Sequence, residues 1–503
     1  MNTTVGKGAI VLTISGLVCK LFGALFRLPL TNIIGLEGIA LFQMVMTIYS
    51  FALVCVSGGV INSLSKLISS ARARGDQKAV GAYLRHALQF SLGLSLVFGA
   101  IFLLFAPQIV SLQGASSGEG AYRMLALMLP LGGLVGVFRG ILQGYGNMTP
   151  TAVSQIIEQV VKFAFGLIFA YLFKGQGIGG GVLGAVLGIT VSEVFACFYL
   201  GWKMTRVDKF EFAQGYKKRF FSATLPLTFG GVILPLTHTI EALFIVKLFV
   251  FSGLSESVAK VVYGLQTGVV GAILNFPLVI SLAVASALLP NLSYLAEKGD
   301  DEGQREVISK SLLAMWFLLI PLVVGIMSVA RNVYPLIYPQ VMEGYLDVAV
   351  QLTFVNGFSI IATALMQQLV SILQANGYFK DCLIFYAIGG TAKLISLAII
   401  AFIPSVAPFA IAISNLVLSA VVSMCVVIKL KGLIALPLFD VALPLLASFV
   451  MFFVVRIILG IFPSIWGLAL AVCSAVVVYL VLALPLTGRY AKILTASLKK
   501  GGK

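Results

Sequence analysis

Charge is what this 503-residue chain has least of. Only 10% of its residues are Asp, Glu, Lys or Arg, against roughly 25% in soluble domains, and that shortage excludes an ordinary water-soluble fold. The carboxylates of the small outer loops, Glu37, Glu119, Glu256, Glu343 and Asp347, are scattered rather than gathered in one large polar loop. There is no GxSxG, HExxH or phosphate-loop pattern, which removes the usual footing for hydrolase, zinc-peptidase or nucleotide chemistry. No enzymatic activity is expected. The six cysteines (Cys19, Cys55, Cys197, Cys382, Cys425, Cys473) all fall within apolar runs and lack metal-ligand spacing. They read as small core residues, with neither disulfides nor a metal site expected. The first apolar block carries Lys20 and Arg27 and is not followed by a clear small-residue cleavage site, so a retained first helix is expected rather than a removed signal peptide.

What is present is apolar sequence: 60% of the chain, in blocks of about 20 residues or more, long enough for a hydrocarbon core of roughly 30 Å. The blocks are too long, and alternate too little, for the strands of a membrane barrel. The expectation is an all-α polytopic membrane protein of about fourteen spans. They lie near 8–30, 39–62, 84–106, 121–142, 152–173, 181–202, 221–250, 261–289, 310–333, 347–373, 381–403, 406–429, 438–460 and 463–486. The formal net charge is +16, yet the cations sit mostly between apolar blocks, which argues against nucleic acid as a partner. One set of alternate loops holds Lys66, Arg72, Arg74 and Lys78; then Lys203, Arg206, Lys209, Lys217, Lys218 and Arg219; then Lys298, Arg305 and Lys310; then Lys429 and Lys431. The tail adds Arg489, Lys492, Lys499, Lys500 and Lys503, while the opposite loops hold Lys174, Lys260 and Arg331. This positive-inside bias places both termini in the cytoplasm.

An internal echo organises the chain. Ile141-Leu142-Gln143 returns as Ile372-Leu373-Gln374, and Lys162 returns as Lys393, each pair 231 residues apart. One offset shared by a motif and by an intramembrane cation implies two related halves, an arrangement that in membrane proteins marks transporters. The expected division is 1–220 (six spans and the basic connector 203–219), 221–432 (six spans) and 433–503 (two further spans and a basic tail). The last two spans read equally as packing helices or as a groove for a lipid tail. Gly180, Gly184 and Gly188, and likewise Gly177 and Gly181, repeat every four residues, the spacing that lets helix backbones approach closely. Pro226 and Pro235 fall inside the seventh span and are candidates to kink it or divide it into moving segments.

Ions inside apolar runs are costly, about 2.5–3.5 kcal/mol each at mid-bilayer, and are functional candidates by default. Lys20 and Arg27 are seven residues apart and share a helix face; two cations on one stripe suit an anionic ligand, and arginine grips phosphate through two parallel hydrogen bonds. Glu158 and Lys162 have the i,i+4 spacing of a self-neutralising pair, whereas Lys393 has no acid one turn away. Arg139, Gln143 and Gln374 belong to the two echoing segments, so the candidate substrate contacts are Lys20, Arg27, Arg139, Gln143, Lys162, Gln374 and Lys393. Glu158, Glu193, His238, Glu241 and Lys247 are candidates for ion coupling or gating, with His238 three residues before Glu241 on one face and able to titrate near neutrality.

KLFGALFRLPLTNIIGLEGIALF at 20–42, SKLISSARARGD at 65–76 and RGILQGYGNMTPTAVSQIIEQVVK at 139–162 resemble the bacterial oligosaccharide and lipid-linked precursor flippases of the multidrug/oligosaccharidyl-lipid/polysaccharide exporter superfamily, the group that contains stage V sporulation protein B. The resemblance is strongest in the first 165 residues. It implies two six-helix lobes with two extra helices, alternating access, and an undecaprenyl-pyrophosphate-linked sugar as cargo, such as lipid II or a spore-cortex precursor. It also implies the bacterial cytoplasmic membrane as location, membrane lipids and cell-wall synthesis enzymes as partners, and no cofactor beyond a Na+ or H+ gradient. Lys20 and Arg27 match in kind the first-helix cations of related lipid II flippases; the further arginines of those proteins, on the second and eighth spans, have no clear counterpart. Two rival readings are a cation-coupled multidrug exporter of the same superfamily and a non-transporting scaffold for cell-wall synthesis. The charge bias is directly testable: a green fluorescent protein fused to either terminus should fluoresce and alkaline phosphatase fused there should be inactive. An active phosphatase fusion at either end would overturn the orientation.

Overall fold

Hydrocarbon offers backbone N–H and C=O groups no partner, so each apolar segment closes its own hydrogen bonds as a helix. The computed structural model describes residues 3–115, 117–207, 215–434 and 438–500. Lys209 of the basic connector and Lys503 of the tail lie outside the described residues. Among the described residues every regular element is helical. The α-helices are α1 (Thr3–Leu53), α2 (Gly59–Ala73), α3 (Gln77–Leu104), α4 (Ala106–Leu112), α5 (Glu119–Gly144), α6 (Thr149–Phe173), α7 (Gly177–Met204) and α8 (Lys217–Phe251). They continue as α9 (Glu256–Gly264), α10 (Gly271–Lys298), α11 (Asp301–Ile337), α12 (Leu346–Ala375), α13 (Phe379–Ala401), α14 (Ala410–Lys429), α15 (Leu438–Ile461) and α16 (Ile465–Lys500). Wider π-turns at Val54–Gly58 and Leu265–Val270 join α1 to α2 and α9 to α10.

Among the described residues, twelve helical runs are long and apolar enough to cross a membrane. Two of these, Ser15–Ala73 and Thr149–Met204, are 59 and 56 residues long, twice what one crossing needs. Each is broken by a glycine in a conformation closed to other residues: Gly35 (φ 75°) and Gly177 (φ 84°). Fourteen crossings result, as the apolar blocks predict. The gap expected between 30 and 39 is a glycine hinge inside α1 rather than a loop. Pro226 and Pro235 do not divide the seventh span, because α8 runs through both as one helix.

The chain groups into two compact units, residues 1–269 with 398–408, and residues 270–397 with 409–503. In the first, the broken α1 packs against α6, α7, α8 and α9 around a core that includes Phe26, Leu30, Val45, Tyr49, Val56, Leu129 and Val186. In the second, α10, α11 and α12 pack together with α14 against α12. There α15 and α16 dock on α11 through Met451, Val455 and Tyr479, and the Tyr479 hydroxyl donates to the Phe317 carbonyl at 2.7 Å. An apolar cavity of about 440 Å3 lies among these three helices, lined by residues such as Phe317, Pro321, Met451 and Tyr479.

The internal echo is repeated in backbone geometry. After α5, Gly146 (φ 79°) donates to Gln143 O at 2.8 Å and Asn147 N to Leu142 O at 3.0 Å. After α12, Gly377 (φ 81°) donates to Gln374 O at 3.0 Å and Tyr378 N to Leu373 O at 3.2 Å. Both are the same glycine-terminated helix stop, in which the left-handed residue satisfies the last carbonyls. A second pair of echoes follows α2 and α10: Gly75 and Gly299 are left-handed, and the next residues, Asp76 and Asp300, cap α3 and α11 by accepting from Ala79 N and Gly303 N. Asp76 also accepts from the Tyr216 hydroxyl at 2.8 Å. The Ala79 amide first, and then this hydroxyl, hold its carboxyl below the ordinary range.

The glycine repeat of α7 does what its spacing predicts. A Cβ on Gly188 would stand 2.3 Å from Gly166 N, and one on Gly184 2.3 Å from Phe169 O; both obstacles are α6 backbone, which cannot rotate aside. Gly188→Ala should therefore destabilise the protein by about 1–3 kcal/mol, read as a lowered Tm in detergent. Gly93→Ala on α3, where a Cβ meets nothing within 4 Å, should leave Tm unchanged or raise it, since alanine favours a helix interior over glycine; equal Tm values for the two variants would contradict the packing.

Candidate functional site

Four residues at helical spacing, Ser154, Glu158, Lys162 and Gly166, share one face of α6. Gly166 lets the Phe26 ring of α1 come close, since a Cβ there would stand 2.8 Å from Phe26 Cε2. Ser15 ties α1 to α6 farther along by donating to Gln155 Oε1 at 3.0 Å. On the other side α5 presents Arg139 and Gln143, one turn apart.

Arg139 is the hub. Its Nη2 donates to Glu158 Oε1 at 2.6 Å and its Nε to Ser154 Oγ at 3.0 Å. The Ser154 hydroxyl donates to Thr151 O at 2.8 Å, and Gln143 Nε2 donates to Thr151 Oγ1 at 3.2 Å. The partly buried Arg139–Glu158 pair replaces the i,i+4 pairing of Glu158 with Lys162 that the spacing predicts. The guanidinium fork reaches a carboxylate and a hydroxyl at once, which a lysine ammonium on the same helix as the acid cannot match. Lys162 instead places Nζ 5.4 Å from the Phe26 ring centroid, within cation–π range. Arg27, Glu158, Cys19 and Glu193 are close enough to act on its charge.

Glu193 of α7 is 9% exposed. Tyr49, on the second arm of α1, donates to its Oε1 at 3.4 Å, while Oε2 has no hydrogen-bond partner among the described residues. The cluster thus holds three cations, Arg27, Arg139 and Lys162, and two carboxylates, Glu158 and Glu193.

The structure treats the other sequence candidates differently. Lys20 is exposed and Arg27 half-buried, so sharing a helix face does not give them equal surroundings. Glu241 is 6% exposed and lies beside Tyr263 of α9; there Gln43 Nε2 donates to Thr267 O at 3.1 Å, at the π-turn. His238 and Lys247, also on α8, are half-buried. In the second unit Lys393 is fully buried, and Gln374 is half-buried in the last turn of α12. Sequence reasoning missed Tyr49, Ser154 and Phe26. Ser154 was within reach, standing four residues before Glu158; nothing in the sequence singles out Tyr49 or Phe26 from the many aromatics in apolar runs.

The chain matches the family of polysaccharide biosynthesis proteins over residues 5–296, more than half its length and the whole of this cluster. It belongs to that family. Within this polysaccharide biosynthesis family it is similar to stage V sporulation protein B of Bacillus subtilis (strain 168), 27% identical over 57% of this chain and 58% of the relative. It is also similar to the lipid II flippase MurJ of the same organism, 23% identical over 67% of this chain and 66% of the relative. The matched region therefore spans less than two thirds of either relative. Among solved structures, the inward closed conformation of the lipid II flippase MurJ superimposes with a TM-score of 0.74 at 15% identity, covering 96% of this chain and 100% of that one. Family and fold, with twelve helical runs long and apolar enough to cross a membrane among the described residues, make this a multi-pass membrane protein of the polysaccharide biosynthesis family.

Removing one partner of a buried ion pair costs about 3–5 kcal/mol, because the other charge stays buried alone. Arg139→Gln should lower stability by that amount, and adding Glu158→Gln should restore most of the loss. Thermal unfolding of the two single variants and the double variant tests this; a double variant as unstable as the sum of the singles would show that the pair is not coupled.

Proposed function

We propose that this protein is a flippase for a lipid-linked sugar, moving an undecaprenyl-pyrophosphate-linked saccharide of the lipid II or spore-cortex type across the cytoplasmic membrane by alternating access. The observation that carries the reading is the excess of positive charge in this partly buried cluster. Glu158 is committed to Arg139, and the cluster's other two cations, Lys162 and Arg27, are the groups that would meet a diphosphate. Carrying that group through hydrocarbon requires its charge to be met by protein, at a cost that unpaired ions cannot escape. Arg27 offers a bidentate fork and Lys162 a compact ammonium.

Other residues take supporting roles. Arg139 and Gln143 hold the α5–α6 elbow and set the position of Glu158. Lys20, exposed on the same helix as Arg27, meets the headgroup first. Lys393 and Gln374 are the second-half counterparts of Lys162 and Gln143. Glu193, with one oxygen unsatisfied, carries the coupling ion, H+ or Na+, and His238, Glu241 and Lys247 belong to gating. The lobes are residues 1–220 and 221–432, with 433–503 appended, a division supported by the repeated glycine stops. The apolar cavity among α11, α15 and α16 suits the polyprenyl tail. Membrane lipids and cell-wall synthesis enzymes are the partners, and both termini are cytoplasmic.

Vesicles reconstituted with a fluorescent polyprenyl-pyrophosphate sugar test the reading. Arg27→Gln with Lys162→Gln should lose at least about tenfold in flipping rate, the equivalent of one charge-assisted hydrogen bond, with reconstitution unchanged. An unchanged rate would contradict the assignment.

A further inference from the structure

α5 ends in the turn Tyr145–Gly146–Asn147, and α7 ends at Met204 with Lys203 in its last turn and Arg206 just beyond. Between these ends is a cavity of about 380 Å3 lined by Leu142, Tyr145, Asn147, Lys203, Arg206 and Val207. Among the described residues its lining contains two cations and no carboxylate. Both cations are held by one aromatic: the Trp202 ring lies 4.2 Å from the Arg206 guanidinium carbon and 4.5 Å from Lys203 Nζ. Arg72 does not line the cavity but contacts Tyr145, which does: its guanidinium lies 4.1 Å from the Tyr145 ring centroid and its Nη1 donates to Tyr145 O at 3.2 Å. Among the described residues no carboxylate forms an ion pair with any of these three cations. The two like charges that line the hollow, Lys203 and Arg206, repel one another, and a tetrahedral anion in the hollow relieves that repulsion.

The approach to the hollow is apolar. Phe195, Phe198 and Trp202 are 49%, 76% and 50% exposed and lie on one face of α7 at i, i+3 and i+7. A cationic, hydrogen-bonding seat at the end of an exposed aromatic stripe has the two-part chemistry of a phospholipid at the membrane interface. We propose that this hollow binds the phosphate of an anionic glycerophospholipid. Lys203, Arg206 and the Asn147 amide donate to the phosphate oxygens, and an acyl chain lies along Phe195 and Phe198. A soluble phosphate satisfies the hollow but leaves the stripe bare, so the lipid is the occupant the two features select together. The site is at the ends of α5 and α7 and uses neither Arg27 nor Lys162, so it stands whether or not the protein is a flippase.

The apparent affinity for phosphatidylglycerol, measured by native mass spectrometry from phosphatidylcholine nanodiscs, tests this. Lys203→Gln and Arg206→Gln should each weaken retention about fivefold, from about 1 kcal/mol per interfacial cation. Lys66→Gln with Lys78→Gln, which removes the same charge from exposed positions elsewhere, should not change it. The charge-keeping pair Lys203→Arg with Arg206→Lys should still hold the lipid, which separates lost binding from lost folding. Equal retention by the wild type and the Lys203→Gln/Arg206→Gln protein would overturn the site, and so would loss of the lipid in the charge-keeping pair. Displacement by inorganic phosphate, with no preference for phosphatidylglycerol over phosphatidylcholine, would overturn the lipid as occupant.

Discussion

A carboxylate in a low-dielectric interior must be neutralised or lose its charge, and the contact between Arg139 and Glu158, 2.6 Å long, answers that requirement for the first half of this protein. Everything else in the cluster depends on which cation Glu158 takes. Had it taken Lys162, its neighbour on α6, the helix would carry a closed pair and Arg139 would be the cation released in its place. Because the fork of Arg139 reaches Glu158 and Ser154 together, Lys162 is displaced toward the Phe26 ring and the neighbourhood of Arg27. The tally of three cations to two carboxylates is the same for either partner; the pairing decides that Lys162, rather than Arg139, stands beside Arg27.

Backbone geometry makes that arrangement possible. Gly35 breaks α1, so that Phe26 and Arg27 on one arm and Tyr49 on the other both serve one cluster. Gly166, Gly184 and Gly188 bring α6 and α7 into backbone contact, which sets Glu193 of α7 near the α6 face that carries Glu158 and Lys162. The paired stops at Gly146 and Gly377 fix the ends of α5 and α12 in the same way, and each is followed by a helix whose intramembrane lysine lies at the same remove, Lys162 in α6 and Lys393 in α13. Closeness of helices and placement of charge thus both follow from residues without side chains.

Much of this was legible in the sequence. Span number and helical class follow from the length and polarity of the apolar blocks. The 231-residue offset found between Ile141 and Ile372 is the offset between Gly146 and Gly377 in the fold, because a glycine stop leaves a fixed signature. Partner choice was not legible. The i,i+4 rule sees only one helix, and the winning contact for Glu158 comes from α5, nineteen residues away. Nor does periodicity separate Lys20 from Arg27, since the difference in their burial is set by what packs on α1. Tyr49 was invisible for the same reason: its role exists only once the two arms of α1 fold back near Glu193.

The solved MurJ structure shares its fold with this chain, and the function proposed above sets this chain the problem of moving a diphosphate through oil. The most direct measurement is the affinity of the purified protein for a short-chain prenyl pyrophosphate against the matching prenyl alcohol. If cations of the cluster grip the diphosphate through two or more charge-assisted hydrogen bonds, the pyrophosphate should bind about a hundredfold more tightly or better. Equal affinity for the two would mean that the protein recognises only the chain, and the account of the buried charges would be wrong.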